Sequence, residues 1–526
     1  MARGAIAAGH ELTARAGAAA LEAGGTAVDA VVAAGVMSWA AEPALTGPCG
    51  GGFVMVRPAR GRAALLDAFT AIPGRDIPAG RRLVEVEQVL VPFDQQTTQV
   101  FHVGSAACAV PGVVAGLHAA HRRYGRLAWG ELLRPAAATA ARGVPTNAGQ
   151  RAVFDAIRAI LTSTPEASAI FAPGGRYVME GDTIVQKELA GTIELLADDG
   201  PYALYRGQLA RAMVDHQHRH GGRLTMADLA SYRPVWRRPL RSAYVGHELI
   251  TNPPPSSGGA LIAYMLATLE PFAAGHSAGK ADALRVLAES MRAAGRRRDA
   301  RFAQMLHRGG LASHLLSSEQ VQAGRREIES ALQRGAPSRV PALASDRGTT
   351  HISVIDGEGN AAAFTASNGS HSGVIVPGTG LHLNNMMGEE DLAAGRHLHP
   401  GNRLTSMQAP TLLERDGSVR LVVGSSGSNR LRSAITQVIV NVVSHGMAID
   451  QAVAFPRVHV EGDRLDCEGG LEPDQLEQLE RWGEQLVRFN GLNLYFGGAN
   501  AVLRDDRGEL SAAGDPRRSC FGLVLD

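Results

Sequence analysis

The chain has 526 residues, 45% hydrophobic and 20% charged, with 62 glycines, so it can bury a sizeable core, which excludes disorder as its organising theme. Fifty-two basic residues against fifty-one acidic ones leave a net charge of +1, and this balance gives no signal for nucleic acid or a membrane surface as the main partner. At about 150 residues per domain, the length fits three or four domains or one large layered fold.

The first ten residues lack an apolar run long enough for an export signal, and longer apolar stretches elsewhere carry Asp, Pro or Gly, so a cytoplasmic protein is expected. Residues 11–41 read as helix, interrupted at Gly24-Gly25, with Thr26 placed to cap a second helix from Ala27 towards Trp39. Gly50-Gly51-Gly52 leads into residues 53–56, a short apolar run expected to be a buried strand. Helical patterns span 113–142 and 152–161, and Pro253-Pro254-Pro255 followed by Ser256-Ser257-Gly258-Gly259 marks a rigid loop before another apolar helix. The middle of the chain reads as mostly helix. After a loop at 334–341, residues 352–356 and 361–365 flank the turn Gly357-Glu358-Gly359-Asn360 and predict a hairpin. Residues 419–423 and 501–504 supply further strands, and 431–444 an apolar helix. Strands that arrive as hairpins, with helices grouped rather than alternating, favour antiparallel sheets sandwiched by helices over a doubly wound parallel sheet.

Several common chemical signatures are absent: there is no GxxxxGK[ST], HExxH or EF-hand loop. Lys187 and Lys280 are the only lysines, and neither sits in a motif that suggests covalent catalysis. Cys49, Cys108, Cys467 and Cys520 lie far apart with no CxxC and are expected to be reduced, buried thiols. His216, His218 and His220 would share a face only on a strand, and they follow a helical pattern, so a solvated helix end is expected rather than a metal site. Arg296-Arg297-Arg298 reads as an exposed or ion-paired helix face. No metal and no organic cofactor are expected.

The informative segment is Asp346-Arg347-Gly348-Thr349-Thr350-His351. A Thr pair opening a strand is by itself ordinary strand filler. A loop ending in Gly, followed by Thr at the start of a central strand, is also the layout of a hydrolase that makes its own nucleophile by cutting its chain. The Thr349 hydroxyl would attack the Gly348 carbonyl, an N-to-O acyl shift would give an ester, and water would release it. The freed α-amine, with a reference pKa of about 7.7–8.0, then suits a base near neutral pH.

In this context the chain resembles the γ-glutamyltransferase (γ-glutamyltranspeptidase) family over nearly its whole length. The resemblance rests on Gly24-Gly25-Thr26-Ala27-Val28-Asp29-Ala30, on Glu42-Pro43 through Gly50-Gly51-Gly52-Phe53, and on Val110-Pro111-Gly112-Val113. It continues through Tyr124-Gly125, Glu180-Gly181-Asp182, Asn252 to Gly259, and Thr349-Thr350-His351-Ile352-Ser353-Val354. Leu383-Asn384-Asn385-Met386-Met387, Arg403-Leu404-Thr405-Ser406-Met407 and Gly514-Asp515-Pro516-Arg517 complete it. The resemblance implies an α+β fold, the four-layer αββα sandwich of N-terminal nucleophile hydrolases, made from one precursor cut between Gly348 and Thr349 into a large subunit, 1–348, and a small one, 349–526. It implies attack by Thr349 on a small-molecule amide or γ-glutamyl carbonyl, with the acyl-enzyme resolved by water or an amine. Ser367 matches the hydroxyl that bonds the nucleophile, Gly427 and Ser428 match the oxyanion-hole turn, and Thr405 and Ser406 match the hydroxyl pair that holds the substrate α-carboxylate.

The departures concern substrate. Phe69 stands where the family places an Arg that grips the α-carboxylate, and Phe offers nothing equivalent to a bidentate guanidinium. Met386 replaces a Gln and Glu389 an Asp in the segment that holds the α-amino group, and Gly369 replaces an Asn. Either a displaced Arg such as Arg403 or Arg430 recovers glutamyl binding, or the site takes a less polar acyl group with the Thr349 machinery intact. A binding or scaffold homologue without turnover is the rival of a different class.

Overall fold

The computed structural model describes residues 3–77, 80–92, 98–273, 275–340, 348–388 and 399–526. Two sheets lie face to face with helices on both outer surfaces, the αββα sandwich expected from the sequence. The first sheet runs in the order Phe521–Leu525, Gly4–Ala8, Thr350–Asp356, Ala361–Ser367, Gly51–Arg57, Ala64–Ala68, Val235–Arg237. The second runs Leu510–Ala513, Gly498–Arg504, Ser418–Ser426, Thr411–Arg415, His247–Thr251, Leu240–Tyr244. Neighbouring strands in both sheets are antiparallel.

Alternate residues of a strand project to opposite faces, and here both faces are covered. Each central strand therefore serves two apolar layers. Val54, Ile352 and Phe364 point to helices Ala27–Ala41 and Val113–Tyr124, whereas Phe53, Met55 and Ile355 meet Val422 and Val502 of the other sheet. Leu421 and Val423 face outward to helices Gly258–Ala273 and Leu431–Val443. Every residue of Thr350–Asp356 and Ala361–Ser367 is buried. Helix Ala27–Ala41 is wholly buried and, apart from Asp29 and Ser38, apolar; Thr26 opens it with a capping box to Asp29. Its far end delivers Glu42, whose N–H donates to the Ser38 carbonyl at 2.7 Å.

Some elements differ from the sequence expectation. Residues 113–142 form two helices, Val113–Tyr124 and Trp129–Arg142, with Gly125 at the C-cap of the first. The 152–161 pattern is Ala148–Ala156 and Arg158–Leu161, broken at Ile157, and it starts earlier because Asn147 and Gln150 form a capping box. The hairpin Leu240–Tyr244/His247–Thr251 interrupts the mostly helical middle.

Candidate active site

Thr349 is 3% exposed and stands immediately before Thr350–Asp356, a central strand of the first sheet. The neighbouring strand ends at Ser367, whose hydroxyl donates to the carbonyl oxygen of Gly348. Ser367 Oγ in turn accepts from the Gly369 N–H at 2.9 Å, which fixes the rotor. A Cβ on Gly348 would lie 2.6 Å from the Gly369 carbonyl oxygen and 3.1 Å from that of Ala44, so the close approach requires glycine. Gly348, Thr349, Ser367 and Gly369 thus come together at the ends of two paired strands.

A fifth residue joins them that motif reading had passed over. Thr350 Oγ1 donates to Glu42 Oε2 at 2.5 Å, and Thr13 Oγ1 donates to Glu42 Oε1 at 2.8 Å. Burial pushes the Glu42 carboxyl up to about 7, against the pull of these two hydrogen bonds and of the Arg518 charge. The sequence signal was present in Glu42-Pro43, but nothing local tied it to a residue three hundred positions away.

His351 has a different role. Burial takes its imidazole down to about 3, so it is neutral. Its ring nitrogens pair with Thr365 Oγ1 at 2.7 Å and Ser353 Oγ at 2.9 Å. The Ser353 hydroxyl donates to the Asn500 carbonyl at 3.0 Å, and Asn500 Nδ2 donates to the His351 carbonyl at 2.7 Å, so this residue braces the two sheets behind Thr349.

The strand Ser418–Ser426 leads into Gly427 and Ser428, with φ of 106° and 56°, and then through the turn Ser428–Arg430 into helix Leu431–Val443. Successive left-handed residues at a helix start gather backbone N–H groups with the positive end of the helix dipole, a geometry that favours an oxyanion. Arg430, at the end of this turn, lines a small cavity together with Gly348.

Phe69 stacks on Phe53, with ring centroids 5.5 Å apart and planes 13° from parallel, and lies with Met386 and Leu404 in the apolar layer between the sheets. The two substituted positions therefore belong to one packed apolar layer. The Leu404 N–H donates to the Thr70 carbonyl at 3.1 Å, which draws Thr405 and Ser406 alongside. Ser406 Oγ accepts from the Gln408 N–H at 3.0 Å, and its carbonyl accepts from the Ser257 N–H at 2.8 Å. Arg403 is committed elsewhere: it lies over the Tyr232 ring at 4.3 Å, pairs with Asp67 at 3.4 Å, and donates to the Arg233 carbonyl. Glu389 lies outside the described residues.

Among the described residues, no three His, Cys, Asp or Glu side chains converge as metal ligands, and no helix is long and apolar enough to cross a membrane. His216 is buried, contrary to the solvated end expected, because it stacks on His220 at 4.1 Å and faces inward from helix Gln208–Arg219. Cys49, Cys108 and Cys467 are buried free thiols, whereas Cys520 is half-buried. Arg296 and Arg297 converge on Glu327 at 2.7 and 2.8 Å, the ion-paired helix face expected.

The family model described as Gamma-glutamyltranspeptidase matches residues 13–523. The Acylase ACY 1 proenzyme of Pseudomonas sp. (strain SE83) is 33% identical over 530 residues, covering 97% of this chain and 91% of its own length. The glutathione hydrolase proenzyme of Escherichia coli (strain K12) is 30% identical over 527 residues, covering 94% of this chain and 87% of its own. Among solved structures, a cephalosporin acylase from Bacillus halodurans is similar with a TM-score of 0.83 at 24% identity, covering 100% of this chain and 96% of that one, a likeness of fold.

Proposed function

The chain belongs to the γ-glutamyltranspeptidase family, and from that premise we propose that it is an autoprocessing threonine amidohydrolase or acyltransferase that acts on amides of a non-glutamyl acyl group. In processing, Thr349 Oγ bonds to the Gly348 carbonyl carbon while the Gly348–Thr349 C–N bond breaks. The hydroxyl proton passes to the departing nitrogen, and water hydrolyses the resulting ester. In turnover, the freed α-amine takes the hydroxyl proton as Oγ attacks the substrate carbonyl, and returns it to the leaving amine. The N–H groups of Gly427 and Ser428 receive the oxyanion; one such donor contributes ~3–4 kcal/mol to the transition state. Water or a second amine then resolves the acyl-Thr349 ester.

The observation that carries this reading is the Ser367 hydroxyl donating to the Gly348 carbonyl oxygen, which polarises the one bond that processing must break. The acyl preference is supported by the Phe69–Phe53 stack, with Met386 in the same packed layer: the two positions expected to read the glutamyl α-carboxylate and α-ammonium are apolar and buried and offer neither group a charged partner. Release of p-nitroaniline from a panel of acyl anilides tests both parts. Thr349→Ala must abolish release, and the γ-glutamyl anilide must be a poor substrate. Turnover by the Thr349→Ala protein would refute the nucleophile, and a γ-glutamyl anilide that outruns the panel would refute the acyl preference.

A further inference from the structure

The turn at residues 42–46 leaves the end of helix Ala27–Ala41 and touches the chain on both sides of Thr349. Its shape is set internally: the Leu45 N–H donates to the Glu42 carbonyl at 2.9 Å and the Thr46 N–H at 3.3 Å. Ahead of Thr349, the Ala44 carbonyl oxygen lies 3.1 Å, and Leu45 Cδ2 3.3 Å, from where a Cβ on Gly348 would be. Behind it, Glu42 Oε2 accepts from the Thr350 hydroxyl at 2.5 Å. The Leu45 carbonyl accepts from the N–H of Asn368, the residue following Ser367, at 3.0 Å. One turn thus holds the residue before the nucleophile, the residue after it, and the neighbour of the hydroxyl that faces the scissile carbonyl.

The packing around the Glu42 carboxyl is close. A Cβ on Gly9, which follows strand Gly4–Ala8, would lie 2.1 Å from Glu42 Oε2 and 2.6 Å from Thr350 Oγ1, so this approach requires glycine. The other oxygen, Oε1, accepts at 2.8 Å from the hydroxyl of Thr13 in helix Glu11–Glu22. Glu42, Thr13 and Thr350 are all buried. Burying a carboxyl costs stability unless its oxygens are hydrogen-bonded, and the raised Glu42 value shows that two hydroxyls offset this only in part.

Strand geometry gives the contact its effect. Alternate residues of a strand point to opposite faces, so Thr350 shares the helix-facing side of Thr350–Asp356 with Ile352 and Val354. Holding the Thr350 side chain there fixes the rotation of the strand about its axis, and with it the direction in which residue 349 presents its hydroxyl. We propose that Glu42 is a positioning residue for Thr349: gripping Thr350 on one side and abutting Gly348 on the other, the 42–46 turn sets the approach of the Thr349 hydroxyl to the carbonyl it attacks. The role is geometric; the proton still travels between the Thr349 hydroxyl and nitrogen. The inference rests on Thr349 being the nucleophile and extends that reading to the residues that aim it.

The two threonines on Glu42 provide the test, because they bond the same carboxyl group and only Thr350 adjoins the nucleophile. Thr13→Val and Thr350→Val each exchange a hydroxyl for a methyl group and lower the urea midpoint alike. Conversion of the full-length chain, followed on denaturing gels, separates them: Thr350→Val slows it by about ten- to hundredfold, the scale of a misplaced reacting group, whereas Thr13→Val stays within about threefold of wild type. Thr350→Ser, which keeps the hydroxyl, recovers most of the rate, and Thr350→Ala carries the same expectation as the valine variant should that one not fold. In the processed fraction of Thr350→Val, release of p-nitroaniline from an acyl anilide shows a lowered kcat with KM unchanged. Equal slowing by the two valine variants, or no slowing by either, would overturn the positioning role and leave the nucleophile standing. If Thr349→Ala is cut and hydrolyses the anilide as wild type does, the nucleophile reading fails and the positioning role falls with it.

Discussion

Ser367 donates its hydroxyl to the carbonyl oxygen of Gly348, the atom that must gather negative charge if Thr349 is to cut the chain before itself. The contact joins the end of one central strand to the residue preceding the next, and Gly369 holds the hydroxyl in place from behind.

Replacing that hydroxyl removes one donor to a developing oxyanion, worth ~1.5–3 kcal/mol. Ser367→Ala is therefore expected to slow conversion of the full-length chain to its two parts by about ten- to hundredfold, and Ser367→Thr to retain most of the rate. A time course of freshly translated protein on denaturing gels measures this directly.

Gly348→Ala places a methyl group 2.6 Å from the Gly369 carbonyl oxygen and 3.1 Å from that of Ala44. The chain must withdraw from Ser367 to relieve the clash, so processing is expected to slow strongly while the sandwich stays folded. Circular dichroism together with the same gel assay separates the two effects; normal processing in this variant would contradict the observed geometry.

Glu42 supplies a pH signature. Burial raises its carboxyl to about 7, whereas in the unfolded chain it releases its proton near pH ~4.3. Between those values the unfolded chain has lost the proton and the folded chain has kept it, so this contribution to stability is complete below about pH 4 and is lost as pH rises through about 7. The wild type should lose stability relative to Glu42→Gln across this window, by at most about 1.4 kcal/mol per pH unit. Urea midpoints of both proteins at about pH 5 and about pH 7 check the sign; parallel behaviour would show that Glu42 is not protonated there.

Phe69→Ala removes a fully enclosed ring stacked on Phe53 and leaves a void between the sheets. The expected cost is ~3–5 kcal/mol, read as a lowered denaturation midpoint with processing retained. A near-neutral effect would mean that Phe69 sits on an open pocket rather than in packed core.

Much of the fold was legible because several local signals agreed. Thr26 marked a helix start, and the Gly357–Asn360 turn between two apolar runs marked the hairpin next to Thr349 that ends at Ser367. The strand Gly4–Ala8 was not legible: its sequence is four small residues around Ile6, and only pairing with Thr350–Asp356 and Phe521–Leu525 defines it. At the site, the Thr349 segment stood out by residue type, and the Gly427-Ser428 turn through the family resemblance. Glu42 and Arg518 did not, because their meaning depends on contacts with Thr350 and with the Gly348 cavity that no local window contains. Arg403 and Arg430 looked equivalent as replacements for a lost guanidinium; Asp67 and Tyr232 hold the first, and the fold turns the second to the cavity.

Intact mass spectrometry with N-terminal sequencing of active protein tests the central claim most directly. The account predicts two polypeptides, one ending at Gly348 and one beginning at Thr349, and a single unbroken, inactive chain from Thr349→Ala. Wild-type protein that turns over an acyl anilide at full rate as one uncut polypeptide would contradict it.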